Sequence, residues 1–295
     1  MLIKELFTAK KTALSFEFFP PKTDKGWEEL FGTIASLAPL NPAFVSVTYG
    51  AGGTTRANTH KLVTRIHQET ALTVVAHLTC VGAKKDEIRQ ILEQYLASGI
   101  MNIMALRGDP PKGQEWAANG SDFPYAADLI AFMKQQFPQL GIGVAGFPEG
   151  HPQTPNRLLE IERLKAKVDA GADYIVTQLF FENRDFYDFC ERCELAGIRV
   201  PILAGIMPIN TWKGMVRMAD LAAGARFPAP LLRAVERVKD HDEQVEQIGI
   251  HWATEQIRDL IDHQARGVHL YTLNKSKASL EICRTLGITN AQHVS

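Results

Sequence analysis

The sequence predicts an α/β fold, a (β/α)8 TIM barrel with extra helices between its seventh and eighth strands. Three observations carry this. Short β-rich runs alternate with amphipathic helical stretches along the 295 residues, the pattern of a parallel sheet. The runs number eight, which closes such a sheet on itself. Polar residues gather at the C-terminal ends of the runs, the rim where barrels of this kind place their loops. Residues 1–295 are read as one barrel domain.

The strands are expected over 13–19, 43–49, 73–79, 101–106, 141–147, 173–179, 201–205 and 267–272. Helical stretches follow most of them: EELFGTIASL, DEIRQILEQYLASG, NRLLEIERLKAKVDAG and DFYDFCERCELAG. Gly99, Gly171 and Gly197 end three of these, as glycine does where a helix stops. The longer helical region 211–265 is the expected insertion. An open doubly wound sheet is the competing architecture. GIGVAG at 141–146 matches a dinucleotide fingerprint by letter. It lies inside a strand, however, and runs into FPEGHP rather than a helix N-terminus, so the phosphate-cradling geometry is missing.

Composition is that of an ordinary globular chain, and the net charge of −1 points to neither nucleic acid nor an anionic membrane. No run approaches the roughly 20 apolar residues of a membrane span. The opening MLIKELFTAKK lacks the apolar core of a signal peptide, so a cytoplasmic location is expected. Cys190 and Cys193 form a CxxC inside a helical pattern rather than at a helix N-terminus. No second pair completes a zinc site, and the two are read as ordinary helix residues.

The strand ends supply Glu17, then Thr48 and Tyr49, His77 and Thr79, Arg107 and Asp109, Glu149 and His151, Thr177 and Gln178, and Tyr271, Asn274 and Lys275. Alternation turns Leu14, Phe16 and Phe18 towards the helices, and Ser15 and Glu17 into the barrel. The upper lumen is expected to hold Glu17, Thr48, His77, Arg107, Asp109 and Gln178. Each has a plainer reading: Glu17 as an ion-pair partner of Arg107 or Lys167, His77 as a satisfied core histidine, Arg107 and Asp109 as a pair across a tight turn, Tyr49 as packing. Together they are too many polar groups on one rim to satisfy one another.

The residue types narrow the chemistry. No HxH pair or carboxylate cluster suggests a metal. No strand sends a lysine into the lumen for a Schiff base. AGIMPIN, after the seventh strand, is not a glycine-rich phosphate loop. A wide polar mouth with one buried carboxylate, an arginine, a glutamine and several aromatics suits a planar heteroaromatic ligand.

At these residues the sequence resembles a known family. SFEFFPPK, FVSVTYGAGG, AHLTC, ALRGDPP, FPEGHP, KVDAGADYIVTQLFF and HLYTLN, in this order, look like methylenetetrahydrofolate reductase of the bacterial single-domain type. The resemblance implies noncovalent FAD across the C-terminal rim and NADH or NADPH as co-substrate. It implies ping-pong reduction of 5,10-methylenetetrahydrofolate to 5-methyltetrahydrofolate, supplying methyl groups for methionine. The adenosylmethionine inhibition of eukaryotic relatives is not expected. A homo-oligomer is implied, with no nucleic-acid or membrane partner.

By the same resemblance Glu17 is the acid that protonates the departing folate nitrogen, and a carboxyl group among aromatic rings would resist ionising. Asp109 matches the aspartate near the flavin and pterin rings. Thr48, His77, Arg107, Gly108, Asp109, Tyr125, Ala126, His151 and Lys167 match FAD-contacting positions. Gln178 matches the glutamine that contacts folate and nicotinamide, and Tyr49 and Ala51 match positions near the nicotinamide nucleotide. Trp212 stands where a phenylalanine stacks on substrate, and Lys275 where an arginine binds the folate glutamate tail. Lysine keeps that charge but loses the bidentate fork. Phe147 replaces a tyrosine of the enteric enzymes, and the 112–121 loop is longer than theirs. A flavin- or folate-binding protein without activity and a metal-dependent hydrolase are the rival readings; the first would have lost Glu17 or Asp109.

Overall fold

The computed structural model describes residues 1–7, 11–49, 53–109, 121–154, 156–221, 225–292 and 294, without the side chains of 53–55, 220 and 221. Its strands are β1 (Ala13–Phe18), β2 (Val45–Val47), β3 (Val74–Thr79), β4 (Asn102–Leu106), β5 (Gly141–Gly146), β6 (Tyr174–Thr177), β7 (Ile202–Ile206) and β8 (Gly267–Tyr271). They close into a parallel barrel in chain order, β8 returning to β1. All eight expected strands are present, most a residue or two shorter; β2 is trimmed most.

Helices α2 (Asp24–Leu37), α3 (Gly53–Glu69), α4 (Lys85–Ala97), α5 (Ala126–Gln136), α6 (Arg157–Asp169) and α7 (Asn183–Leu195) follow the first six strands in turn. The expected insertion is α8 (Trp212–Leu221), α9 (Ala229–Glu236) and α10 (Asp242–Asp262). A first helix α1 (Ile3–Leu6) and a last one, α11 (Lys277–Thr285), complete the set among the described residues. Helix α2 begins four residues before its apolar pattern does. The Thr23 side chain accepts a hydrogen bond from Gly26 N and starts the helix on polar sequence. Gly99, Gly171 and Gly197 all have positive φ, the left-handed turn that ends a helix.

Strand alternation sorts the core into two shells. Leu14, Phe16, Phe18, Val45, Val47, Leu78, Ile103 and Val144 face outward and pack with helix residues such as Leu30, Ile34, Leu92 and Leu129. Each such side chain, fully buried, contributes about 1.5–3 kcal/mol. Inside, the lower lumen is filled by Ala13, Phe44, Val75, Met104, Tyr174 and Leu203. Ile3 and Phe7 of the N-terminal segment plug it from below. The plug is tied down by buried Asn102, whose Oδ1 accepts from Ile3 N at 3.0 Å and whose Nδ2 donates to Met1 O at 3.1 Å. A Cβ on Gly143 would lie 2.4 Å from the Tyr174 ring. The glycines of GIGVAG therefore serve packing, Gly141 and Gly143 against Asn102 and Tyr174 in the lumen and Gly146 against Ile175 and Phe189 outside it.

One expectation is corrected here. Arg107 and Asp109 were placed in the upper lumen by alternation along the fourth strand. Met104 belongs to the lumen cluster and Leu106 packs against it, while Ile103 and Ala105 face the helices. Residues 107 and 109 therefore have the outward parity. The strand ends at Leu106, and Gly108 turns with φ +81°. Arg107 and Asp109 reach the rim from the loop instead.

A third apolar cluster lies under the insertion, where Leu179, Phe181, Ile209, Met215, Met218, Leu231 and Val245 meet, with Trp212 and Tyr271 packed against it. No described helix is long and apolar enough to cross a membrane.

Candidate active site

Above the apolar plug the lumen turns polar. Glu17 from β1, Ser46 from β2, His77 from β3 and His269 from β8 converge there, with Ser15 one layer below Glu17. Register explains the meeting: Glu17 pairs with Ser46 on one side and Tyr271 on the other, and Ser15 with His269. Ser15 Oγ lies 2.7 Å from His269 Nδ1, and Ser46 Oγ lies 3.1 Å from His269 Nε2. Ser46 Oγ also donates to Glu17 Oε2 at 3.4 Å.

These contacts form a chain that is satisfied in either protonation state of Glu17. With the carboxylate ionised, Ser15 donates to Nδ1, Nε2–H donates to Ser46, and Ser46 donates to Glu17. With Glu17 protonated, every bond reverses: Glu17 donates to Ser46, Ser46 to Nε2, and Nδ1–H to Ser15. Ser15 then donates to Val268 O, 3.4 Å away. The imidazole only changes tautomer.

His77 Nε2 faces Glu17 Oε2 at 3.5 Å but makes no hydrogen bond among the described residues. Burial holds His77 below the usual histidine range; the Glu17 carboxylate pulls the other way, and His269 adds to the lowering. Tyr271 closes the fourth side. Its hydroxyl donates to Thr177 O at 2.7 Å, in space that a Cβ on Gly205 would occupy. Burial, then the Glu17 charge, raises its ionisation well above normal.

The surroundings of Glu17 differ from expectation. Phe16 and Phe18 lie in the outer shell, and Phe19 is 42% exposed. The carboxylate sits among hydroxyl, imidazole and phenol groups, because alternation turns the phenylalanines of β1 away. Nor does it pair with Arg107 or Lys167.

A second group gathers over β4 to β6. The Arg107 guanidinium donates to Gly108 O and to Gln153 Oε1, at 3.2 and 2.8 Å. Lys167, from α6, donates to Ala145 O at 2.6 Å. Burial lowers its pKa to about 8, opposed by Glu160 and reinforced by Arg107. His151 accepts from Gln153 N through Nδ1 and stands edge-on to Phe147. Burial, then the Arg107 charge, lowers its pKa. Two cations and an imidazole thus face one part of the rim, with the charge of buried Glu160 opposing the lowering at Lys167.

The remaining residues divide. Thr48 and Gln178 are half-buried at the rim. Tyr125 is half-exposed at the N-terminus of α5, where buried Ala126 begins the helix. Trp212 opens α8 beside the Tyr271 cluster, and Lys275 is exposed beyond β8. The Asp109 side chain is 89% exposed, with Oδ1 3.7 Å from Arg107. Tyr49 turns away from Glu17. It lies under the Arg56 guanidinium in a separate cavity of about 360 Å³ with His60, Gln94 and Tyr95, between α3 and α4. It follows Thr48 by one residue and so has the outward parity. Ala51 and most of the 112–121 loop lie outside the described residues. Cys190 and Cys193 sit on α7, where burial pushes both thiols up to about 12.

Sequence reasoning missed Ser15, Ser46 and His269 as functional partners. Alternation turns Ser15 inward without giving it a role, and Ser46 shares the inward face of Thr48. The signal for His269 was available: two positions before Tyr271 on one strand, it shares Tyr271's inward face.

The chain matches the family model described as methylenetetrahydrofolate reductase over residues 2–287. It is 40% identical over 304 residues to Methylenetetrahydrofolate reductase (NADH) 1 of Arabidopsis thaliana, covering 99% of this chain and 51% of that one. It is 38% identical over 275 residues to 5,10-methylenetetrahydrofolate reductase of Escherichia coli K12, covering 93% and 90%. The chain thus spans about half the length of the plant relatives it matches and most of the bacterial one. Among solved structures, a Clostridium thermocellum protein described as binding two copies of 5-methyl-5,6,7,8-tetrahydrofolic acid has TM-score 0.67 at 16% identity, covering 96% of this chain and 97% of that one. That likeness bears on the fold alone. With the family model spanning nearly all of the barrel, the chain belongs to the methylenetetrahydrofolate reductase family.

Proposed function

We propose that the protein reduces 5,10-methylenetetrahydrofolate to 5-methyltetrahydrofolate, with bound FAD and a nicotinamide nucleotide as hydride source. The observation that carries this reading is the reversible hydrogen-bond chain Glu17–Ser46–His269–Ser15 at the rim of a barrel belonging to this family. The names of the plant relatives specify NADH, which favours NADH as the nucleotide here.

The rim residues fit a flavin dinucleotide. His77 Nε2 is a buried ring nitrogen without a hydrogen bond among the described residues, suited to a polar edge of a planar ring. Arg107 and Lys167 bring two positive charges to one part of the rim, suited to a diphosphate or an electron-rich carbonyl. When bound there, FAD would supply two-electron hydride chemistry. Thr48, Gly108, Tyr125, Ala126 and His151 complete the proposed contact set.

The folate ring must open before its methylene carbon can accept hydride, and opening needs a proton on the departing nitrogen. Glu17 is the acid for that proton. Ser46 stays hydrogen-bonded to the carboxyl group before and after it gives up that proton, and His269 holds Ser46 in place. Asp109 is the proposed second carboxylate, steadying the cation that ring opening creates. Gln178 and Trp212 hold the substrate rings, and Lys275 its acidic tail. The nucleotide contacts assigned to Tyr49 by resemblance are not carried forward, since its side chain faces another cavity. A cytoplasmic homo-oligomer is the proposed setting, on the family resemblance.

Stopped-flow mixing of the flavin-loaded protein tests this. Glu17→Gln should lose folate reduction while NADH still bleaches the flavin, because only the folate half needs the proton. A protein that binds no flavin, or a Gln variant that reduces folate at the parental rate, would sink the reading.

A further inference from the structure

The ladder between β1 and β8 ends at the pair Glu17–Tyr271. Past that point Pro20 and Pro21 carry no N–H to continue it. The loop after β8 takes over by other means. Thr272 Oγ1 donates to Glu17 O at 2.7 Å and accepts from Asn274 N at 3.1 Å. Asn274 Oδ1 accepts from Phe19 N at 3.0 Å, and its Nδ2 donates to Phe19 O at 2.8 Å. One side-chain amide thus grips both polar groups of a single residue, as the peptides of a neighbouring strand would. The Asn274 carbonyl in turn accepts from Thr33 Oγ1 of α2 at 3.1 Å, so the loop is braced from behind.

Reaching this grip takes an unusual backbone. Leu273 and Asn274 are consecutive left-handed residues, with φ +52° and +58°. Asparagine adopts that region readily, but leucine does so only against steric resistance, and Leu273 is left 37% exposed. More than a third exposed, Leu273 gains less from burial than a core leucine would. What the conformation achieves is to turn the Asn274 amide back onto β1, two residues past Glu17.

We propose that Asn274 is a positioning residue for Glu17. Together with Thr272 it fixes the main chain on both sides of Phe18, so that the Glu17 carboxyl group keeps its distance to Ser46. That distance is already 3.4 Å, long for a hydroxyl–carboxylate bond, so the contact has no slack to absorb a displacement. The proposal rests on the reading of Glu17 as the acid.

Asn274→Gly and Asn274→Asp test it in the flavin-loaded protein. Both residues tolerate the left-handed turn, so the loop keeps its course. Glycine removes the amide; aspartate keeps the acceptor for Phe19 N but sets an acceptor against Phe19 O. Each should slow folate reduction about 10- to 100-fold, as misplacement of a reacting group by about 1 Å does. NADH reduction of the flavin should stay within about twofold of the parent, and the pH profile of the folate step should shift. Parental folate rates in both variants, with Glu17→Gln inactive, would overturn the positioning role alone. Equal losses in both half-reactions would overturn it too, since they mark a merely structural residue. A Glu17→Gln protein that still reduces folate would overturn the underlying reading instead.

Discussion

Glu17 and His269 face each other across the β1–β8 seam with 3.6 Å between Oε2 and Nε2, and Ser46 on β2 touches both. The direct contact is too long for a hydrogen bond, so the hydroxyl is what links the two side chains. Ser46→Ala should therefore slow folate reduction roughly 10²-fold, within the span of general acid catalysis. Loss of its two hydrogen bonds, which leaves buried His269 Nε2 without this partner, should cost about 1–3 kcal/mol of stability. Flavin reduction by NADH is the internal control. A Ser46→Ala protein with a parental folate rate would show that Glu17 acts as the acid without its hydroxyl partner.

His77 makes a prediction about acid stability. Its folded pKa lies below the unfolded value of about 6.5, chiefly through burial. Between the two values the unfolded chain binds a proton that the folded one refuses. Stability from this group is present above about pH 6.5 and is lost as pH falls through that window. His77→Gln should flatten the decline. Urea midpoints at pH 7 and pH 5 should differ less for the variant than for the parent. Parallel declines would mean that His77 charges inside the barrel, beside Glu17.

Lys167 behaves in the opposite range. Its folded pKa of about 8 lies below its unfolded value, so the flavin-free protein carries a buried charge whose cost is full below pH 8 and fades as pH rises towards about 10.4. Lys167→Met should be more stable than the parent at pH 7, and the advantage should shrink by pH 10. FAD titration of the same variant should show weaker binding, because the charge that is costly in the flavin-free protein is the one a diphosphate would use. Equal stability differences at both pH values would show that the ammonium is solvated in the folded protein.

Much of the fold was legible because local and global signals agreed. Period-two strands, amphipathic helices and glycine stops all pointed one way, and all eight strands formed where expected. The site was legible only where the residue itself lay inside a strand. Glu17 and His77 do, and alternation placed both. Arg107 and Asp109 do not: parity was carried past Leu106, where a left-handed Gly108 ends it. Tyr49, a strand-end residue by sequence, lines a separate cavity, since rim position says nothing about which way a side chain turns. Ser46 and His269 were passed over because each reads alone as a satisfied core residue. Their role exists only through register, which joins positions 17, 46 and 269 from three separate strands.

The N-terminal plug was invisible for the same reason, and it gives a last prediction. Nothing in MLIKELF announces that Ile3 and Phe7 enter the barrel floor, nor that Asn102, more than ninety residues on, will receive them. Asn102 is buried, with one hydrogen bond to Ile3 N and one to Met1 O, so its amide does the work of a missing strand end. Asn102→Ala removes both bonds and should lower the free energy of unfolding by about 1–3 kcal/mol. Asn102→Asp keeps the acceptor for Ile3 N, loses the donor to Met1 O and brings a buried charge, so it should be at least as destabilising. The amide lies at the opposite end of the lumen from Glu17, so both half-reactions should keep parental rates in the folded Ala variant. Denaturant unfolding with amide exchange at Ile3 is the measurement. An Ala variant of unchanged stability, with Ile3 still protected, would show that apolar packing of Ile3 and Phe7 alone seats the plug.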